Sequence, residues 1–167
     1  MDRILHNQSN AEYHQDFGLG STYLKDWALR SPTHAEFGER TINPYIADEG
    51  TAAHLFFEGR GDLVFEAGET RRGAGWDEAK SKAKAVGGVA LPKKAYSNAQ
   101  GAGISARSHP AMAEWLSRSE AWDETSIFTT HPATGLEIKC KPDVYFPQTG
   151  MLVDLKTTIS ASPDDFT

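Results

Sequence analysis

Gly135-Leu-Glu-Ile-Lys-Cys-Lys-Pro-Asp143-Val-Tyr-Phe-Pro-Gln-Thr-Gly150-Met-Leu-Val-Asp154-Leu-Lys156-Thr-Thr158 is the stretch on which the reading of this chain turns. It reads as two strands joined by a short turn at 147–150, whose Pro, Gln, Thr and Gly are residue types that tight connections favour. Side chains alternate between the two faces of a strand. Leu136, Ile138, Cys140, Val144 and Phe146 therefore share one face, and Glu137, Lys139, Lys141, Asp143 and Tyr145 the other. On the second strand Met151, Val153 and Leu155 oppose Leu152, Asp154, Lys156 and Thr158. Antiparallel pairing across the turn brings Asp143 towards Asp154, with Lys156 beside Asp154 on the same face.

Two carboxylates beside one ammonium suit metal-assisted hydrolysis of a phosphodiester. Hard divalent cations bind carboxylate and carbonyl oxygens, so magnesium is the expected ion and manganese its substitute. Crowded carboxylates repel, and a cation between them relieves that repulsion. The cation activates water and stabilises charge on phosphate oxygens. A lysine alongside orients the water or stabilises the developing charge. The carbonyl of Leu155, between Asp154 and Lys156, is a further oxygen ligand in this reading. An isolated Asp-x-Lys on a strand is usually a solvated surface pair; Pro-Asp closing one strand, then a turn, then Asp-Leu-Lys-Thr-Thr on an apolar strand is a richer pattern.

Those residues resemble the signature of the PD-(D/E)XK nuclease superfamily, with Pro142-Asp143 and Asp154-Leu155-Lys156 in its motif positions. More narrowly, the chain resembles the RecE-type exonucleases (exonuclease VIII) and phage exodeoxyribonucleases, which carry Lys-x-Arg-Pro-Asp and Asp-Leu-Lys-Thr-Thr strands. Here the first reads Lys139-Cys-Lys141-Pro-Asp143, with lysine in the arginine position. Upstream, residues 13–25, Ser31-Pro-Thr-His34 and Gly50-Thr-Ala-Ala-His54 resemble the family's opening helix, the loop after it and its Gly-Thr-Ala-x-His helix.

The resemblance implies a restriction-endonuclease-like α/β core, a mixed central sheet flanked by helices. It implies a metal-dependent exodeoxyribonuclease that degrades double-stranded DNA from an end and provides single strands for recombination. It adds His54 to Asp143 and Asp154 as a metal ligand, beside Lys156 as the catalytic lysine. It further implies a single-strand annealing protein as partner and a homo-oligomeric ring. Glu124 enters because related nucleases often carry an acidic residue just ahead of the Asp-bearing strand. Glu58 enters because it lies one helical turn beyond His54 and can face the same way. An endonuclease or a RecB-type repair nuclease on the same core, and a non-catalytic DNA-binding module, are the alternatives.

Composition sets the outer bounds. A chain of 167 residues, 39% hydrophobic and 24% charged, is expected to be a single globular domain over 1–167. No apolar run approaches the roughly 18 residues of a membrane span, and the N-terminus lacks a signal-peptide core. The single cysteine, Cys140, excludes an internal disulfide and an iron–sulfur cluster held by this chain alone. A cytoplasmic protein of a bacterial or phage-infected cell is expected. The net charge of −6 is opposite in sign to a general nucleic-acid binder, so phosphate contacts must come from local patches. Lys139 and Lys141, on the Asp143 face, are the expected DNA-phosphate residues. Arg71, Arg72, Lys80, Lys82, Lys84, Lys93 and Lys94 form a second basic group, serving either DNA contact or a solvated helix surface.

Along the chain, residues 1–20 are expected to be loosely ordered. Ser21 is expected to cap a helix over 22–30. A loop is expected to about residue 48, then helices over 51–58 and 76–85, the latter ending at Gly87-Gly88. The run 63–66 is strand or loop, 89–92 is extended, and 96–107 is ambiguous because Gly101 and Gly103 weaken a helix. Pro110 opens a helix over 111–118, and three strands follow. Trp27, Trp76, Trp115 and Trp122 are read as core or helix-packing residues. Pro163-Asp-Asp-Phe reads as the start of a helix, so the chain is expected to be a C-terminally truncated form of the fold.

Overall fold

The computed structural model describes residues 3–38, 43–118 and 120–157. Thr158 and the helix start expected at Pro163 lie outside the described residues. The architecture is mixed α/β with a mixed sheet, consistent with a restriction-endonuclease-like core. Contacts divide the chain into two compact units, Met1–Thr41 with Ser119–Asp154, and Ile42–Arg118 with Leu155–Thr167.

The first unit is built on one long antiparallel ribbon. Strand β1 (Arg3–Leu5) pairs antiparallel with β6 (Ser126–Thr130), β6 with β7 (Glu137–Cys140), and β2 (Leu19–Gly20) runs parallel to β7. Strand β5 (Trp122–Asp123) pairs with β8 (Val144–Phe146), and β8 with β9 (Met151–Val153), both antiparallel. The β6–β7 and β5–β8 pairings share one register: three residues on each side, 124–126 and 141–143, separate Asp123↔Val144 from Ile127↔Cys140. The single strand expected over 135–146 is therefore two strands, and the break falls at Pro142. Proline has no N–H to give to a ladder, and Glu124, opposite the next residue Asp143, has left-handed backbone, φ 48°. No residue is gained or lost through the break, so the alternation of faces survives it. Phe128, Val144 and Phe146 are buried in this unit.

Residues 3–20 are more structured than expected. Besides β1 and β2 they form α1 (Asn10–Gln15), started by a reciprocal Ser9–Glu12 capping box. Lys139 fastens the other end, donating to the carbonyl oxygens of Tyr13 (2.8 Å) and Asp16 (2.6 Å). Helix α2 (Ser21–Leu29) is preceded by Gly20 at the cap position rather than capped by Ser21. Helix α3 (Pro32–Phe37) replaces the expected loop, capped by Ser31. Neither α2 nor α3 buries a side chain, and Trp27 is 54% exposed, which corrects its reading as a packing residue. Trp122 does pack, edge-on to His6 and Tyr145.

Arg3 donates to Asp16 at 2.8 Å and holds the Asp16 carboxyl below the usual carboxylate range, helped by Gln8 and by the Phe17 N–H. A carboxyl lowered in the folded state stabilises the fold above the unfolded value of about 4 and loses that contribution as pH falls through the depressed value. Arg3→Gln is therefore expected to be less stable than the parent at neutral pH, with the difference closing below about pH 4. Urea titrations across that range measure it. Cys140, half-buried in β7, has its thiol pushed up by desolvation and remains a protonated packing residue near neutral pH.

The second unit contains α4 (Pro44–Phe57), β3 (Val64–Glu66), α5 (Ala74–Val86), β4 (Val89–Leu91), α6 (Lys93–Ser108) and α7 (Pro110–Arg118). Helix α4 starts well before residue 51, because Asn43 accepts from the Tyr45 N–H and Pro44 suits the first turn. Its Ala52, Ala53, Leu55 and Phe56 pack with Val64, Leu91 and Ala99 into one core cluster. Strands β3 and β4 are parallel, connected through α5, which ends on left-handed Gly87 as expected. The ambiguous 96–107 is α6, a continuous helix of 16 residues. Trp76 packs on the Ala67, Ala79, Ala83 and Ala90 cluster, whereas Trp115 is 41% exposed, a second correction.

Arg71 is pinned. Its guanidinium lies 4.3 Å from the Tyr45 ring centroid and 5.2 Å from that of Trp76, and it bonds Asp48 at 2.7 Å. The Asp48 side chain is 40% exposed, so water weakens the ion pair and stacking supplies most of the stabilisation. Arg71→Ala is expected to cost about 1–2 kcal/mol, with Arg71→Lys recovering less than half, because the ammonium lacks the planar stacking surface. Thermal melts of the two variants decide this.

Candidate functional site

Strands β8 and β9 pair with Val144 opposite Val153, Tyr145 opposite Leu152 and Phe146 opposite Met151. One further step in this register sets Asp143 opposite Asp154, on the face of Tyr145 and Leu152. Directly opposed residues of an antiparallel pair have Cβ atoms about 4.5–5.5 Å apart. On the other side of β8, Asp123 opposes Val144, and one step on the Glu124 N–H donates to the Asp143 carbonyl oxygen at 3.1 Å. Positions 124, 143 and 154, each one residue outside its strand, thus form a row along the ends of β5, β8 and β9. Pro142 places that row at an end of the three-stranded sheet, because pairing lapses there. Asp143 is 4% exposed, whereas Asp154 is exposed.

The chain runs directly from Asp154 into Leu155, half-buried, and Lys156, exposed. The strand expected to reach Thr158 ends at Val153. In the second unit, Thr157 passes Gly50 of α4: a Cβ on Gly50 would lie 3.5 Å from Thr157 Oγ1. On the same helix, a ring nitrogen of His54 and a carboxylate oxygen of Glu58 lie within 4.8 Å of one another. Helical spacing of four residues explains the approach. The Glu58 side chain is only 5% exposed and accepts from Arg60 at 3.3 Å, so it is not a solvated helix end.

Glu124 is engaged elsewhere, in an ion pair with the ammonium group of Lys141. Lys141 also donates to Asn10 Oδ1 at 2.8 Å, and its side chain is 9% exposed. Lys139 is committed to the end of α1 and lies over the Tyr13 ring, 4.8 Å from its centroid. Both lysines expected at DNA phosphate are thus bonded within the first unit. Sequence reasoning missed α1 and with it Asn10; the Ser9-x-x-Glu12 signature was the available signal. Lys80, Lys82, Lys84, Lys93 and Lys94 lie on exposed helix surface, with Lys82 paired to Glu78.

The donor chemistry fits a hard divalent cation. The expected ligands are carboxylates, a carbonyl and one imidazole, a set that suits magnesium or manganese and contains no thiolate. In the first unit Asp143 immediately precedes β8 and Asp154 immediately follows β9; in the second, His54 lies on α4.

A family match covers residues 38–167, from the end of α3 through the carboxylate row and the Asp-Leu-Lys segment. No curated protein and no solved structure gives a significant match. The matched residues include Asp143 immediately before β8 and Asp154-Leu155-Lys156 after β9, and over residues 38–167 the chain belongs to the family described as a PDDEXK-like domain of unknown function (DUF3799), a nuclease-type domain.

Proposed function

We propose that this protein is a metal-dependent deoxyribonuclease that degrades duplex DNA from an end, leaving single strands for recombination. The observation that carries the reading is the β8–β9 register, which continues into an Asp143–Asp154 pair followed at once by Leu155 and Lys156. Membership of a PDDEXK-like family supports nuclease chemistry. Asp143 and Asp154 bind magnesium, or manganese in its place, with the Leu155 carbonyl and His54 as further ligands and Glu58 beside His54. A bound cation supplies Lewis acidity and an activated water. Lys156 orients that water and stabilises charge on the phosphate oxygens. The working form is a homo-oligomer that hands its product to a single-strand annealing protein. Among the described residues, no helix is long and apolar enough to cross a membrane.

Incubation with linear and with covalently closed circular duplex DNA, with and without magnesium, tests the proposal. Magnesium-dependent loss of linear DNA alone is the expected result. Cutting of circles turns the reading to an endonuclease. Binding without cleavage, unchanged in Asp154→Ala, turns it to a DNA-binding module.

A further inference from the structure

Lys139 of β7 and Lys141, the first residue past its end, grip the two ends of α1. Lys139 holds the Tyr13 and Asp16 carbonyl oxygens at its C-terminal end, and Lys141 holds the Asn10 side chain at its first turn. Lys141 reaches further, into the carboxylate row, where its ammonium pairs with Glu124. The row then has its charge balanced in two different ways. Opposed carboxylates repel, and a divalent ion relieves that repulsion. At Glu124 the chain already provides a cation of its own.

We infer that Lys141 is a positioning residue that sets how many cations the site takes: by holding Glu124 it keeps that carboxylate out of the coordination shell and limits the row to one divalent ion. The inference rests on the nuclease reading above. A divalent ion recruiting Glu124 must first displace an ammonium from it. The displaced ammonium, on a side chain 9% exposed, would retain only the Asn10 amide oxygen among the partners named. Leaving a buried charge that poorly compensated is unfavourable, so the ion pair resists the exchange. Lys141→Met keeps an unbranched stem and removes the charge. Glu124 is then released to the row, and a second ion follows it.

Calorimetric titration of the metal-free protein with Mn2+, without DNA, reads the stoichiometry directly. One ion is expected for the parent and for Lys141→Arg, which keeps the charge. Two are expected for Lys141→Met, falling back to one in Lys141→Met/Glu124→Gln. Glu124→Gln alone is expected to leave Mn2+ affinity within about twofold, a check that does not depend on the methionine variant folding. A single ion in folded Lys141→Met, or a loss of about tenfold or more in Glu124→Gln, overturns the inference while the nuclease reading stands. No Mn2+ bound by the parent overturns both.

Discussion

Asp154→Asn is expected to lower the rate of duplex DNA hydrolysis by about 10³-fold or more, equivalent to roughly 4 kcal/mol of lost transition-state stabilisation. Asparagine keeps the size and one acceptor oxygen but removes the negative charge a hard cation requires. Asp154 is the better test of the pair because it is exposed, so its replacement separates loss of charge from loss of fold. Asp143→Asn is expected to act alike, with an added stability cost because Asp143 is 4% exposed. A second readout distinguishes ligand from bystander. Mn2+ at about a hundredfold excess over its dissociation constant stabilises a binding protein by about 2.7 kcal/mol. The parent should show that rise in melting temperature, and Asp154→Asn should not. Lys156→Ala should lose cleavage yet keep the rise, because an ammonium is not a metal ligand. Cleavage by Asp154→Asn within about tenfold of the parent would remove that carboxylate from the chemistry.

The register that sets Asp143 against Asp154 was legible because strand periodicity is robust. Parity alone put Asp143 and Asp154 on matching faces, and the observed register of Val144 with Val153 agrees. The break at Pro142 was written in the same residues and was passed over: an apolar–polar alternation continues through it, since the register loses no residue. What periodicity could not supply was the fate of the lysines. Lys139 and Lys141 share the parity of Asp143 in the sequence, but they bond to residues on α1 and at its C-cap, 123 to 131 positions away in the chain. A basic residue near a candidate phosphate site and a basic residue bracing a helix look identical until the helix is placed.

Local signals were missed for a different reason, that weak elements are decided by their caps. Helix α1 has only six residues and no buried side chain, and its capping box is its strongest start signal. Helix α4 extends back to Pro44 because Asn43 and Pro44 satisfy its first turn, although the apolar pattern begins only at Ala52. Helix α6 failed the opposite way: propensity counted its glycines as breakers, while packing makes one of them a requirement.

That distinction leads to the second large effect. Gly103→Ala is expected to destabilise the second unit by about 1–3 kcal/mol, and Gly103→Val to prevent its folding. A Cβ at Gly103 would fall 2.4 Å from the Ala53 carbonyl oxygen, 2.7 Å from Phe56 Cβ and 2.9 Å from the Phe57 N–H nitrogen. Two of those three atoms are backbone of α4, so no rotamer change relieves the clash, and α6 must move off. Such a move disturbs contacts of Ala53, Phe56 and Ala99, all in one core cluster. It also strains the bond from Arg107 to the Phe57 carbonyl oxygen at 2.6 Å. Gly101, two residues earlier on the same helix, has nothing within 4 Å of its Cβ position. Gly101→Ala is therefore expected to stabilise by roughly 0.5–1 kcal/mol, through lower chain entropy in the unfolded state. Helix propensity alone assigns both substitutions the same favourable sign. Urea denaturation of the pair separates the two accounts: opposite signs support close approach of α6 to α4, and two stabilised variants would show that the helices do not pack backbone to backbone at Gly103.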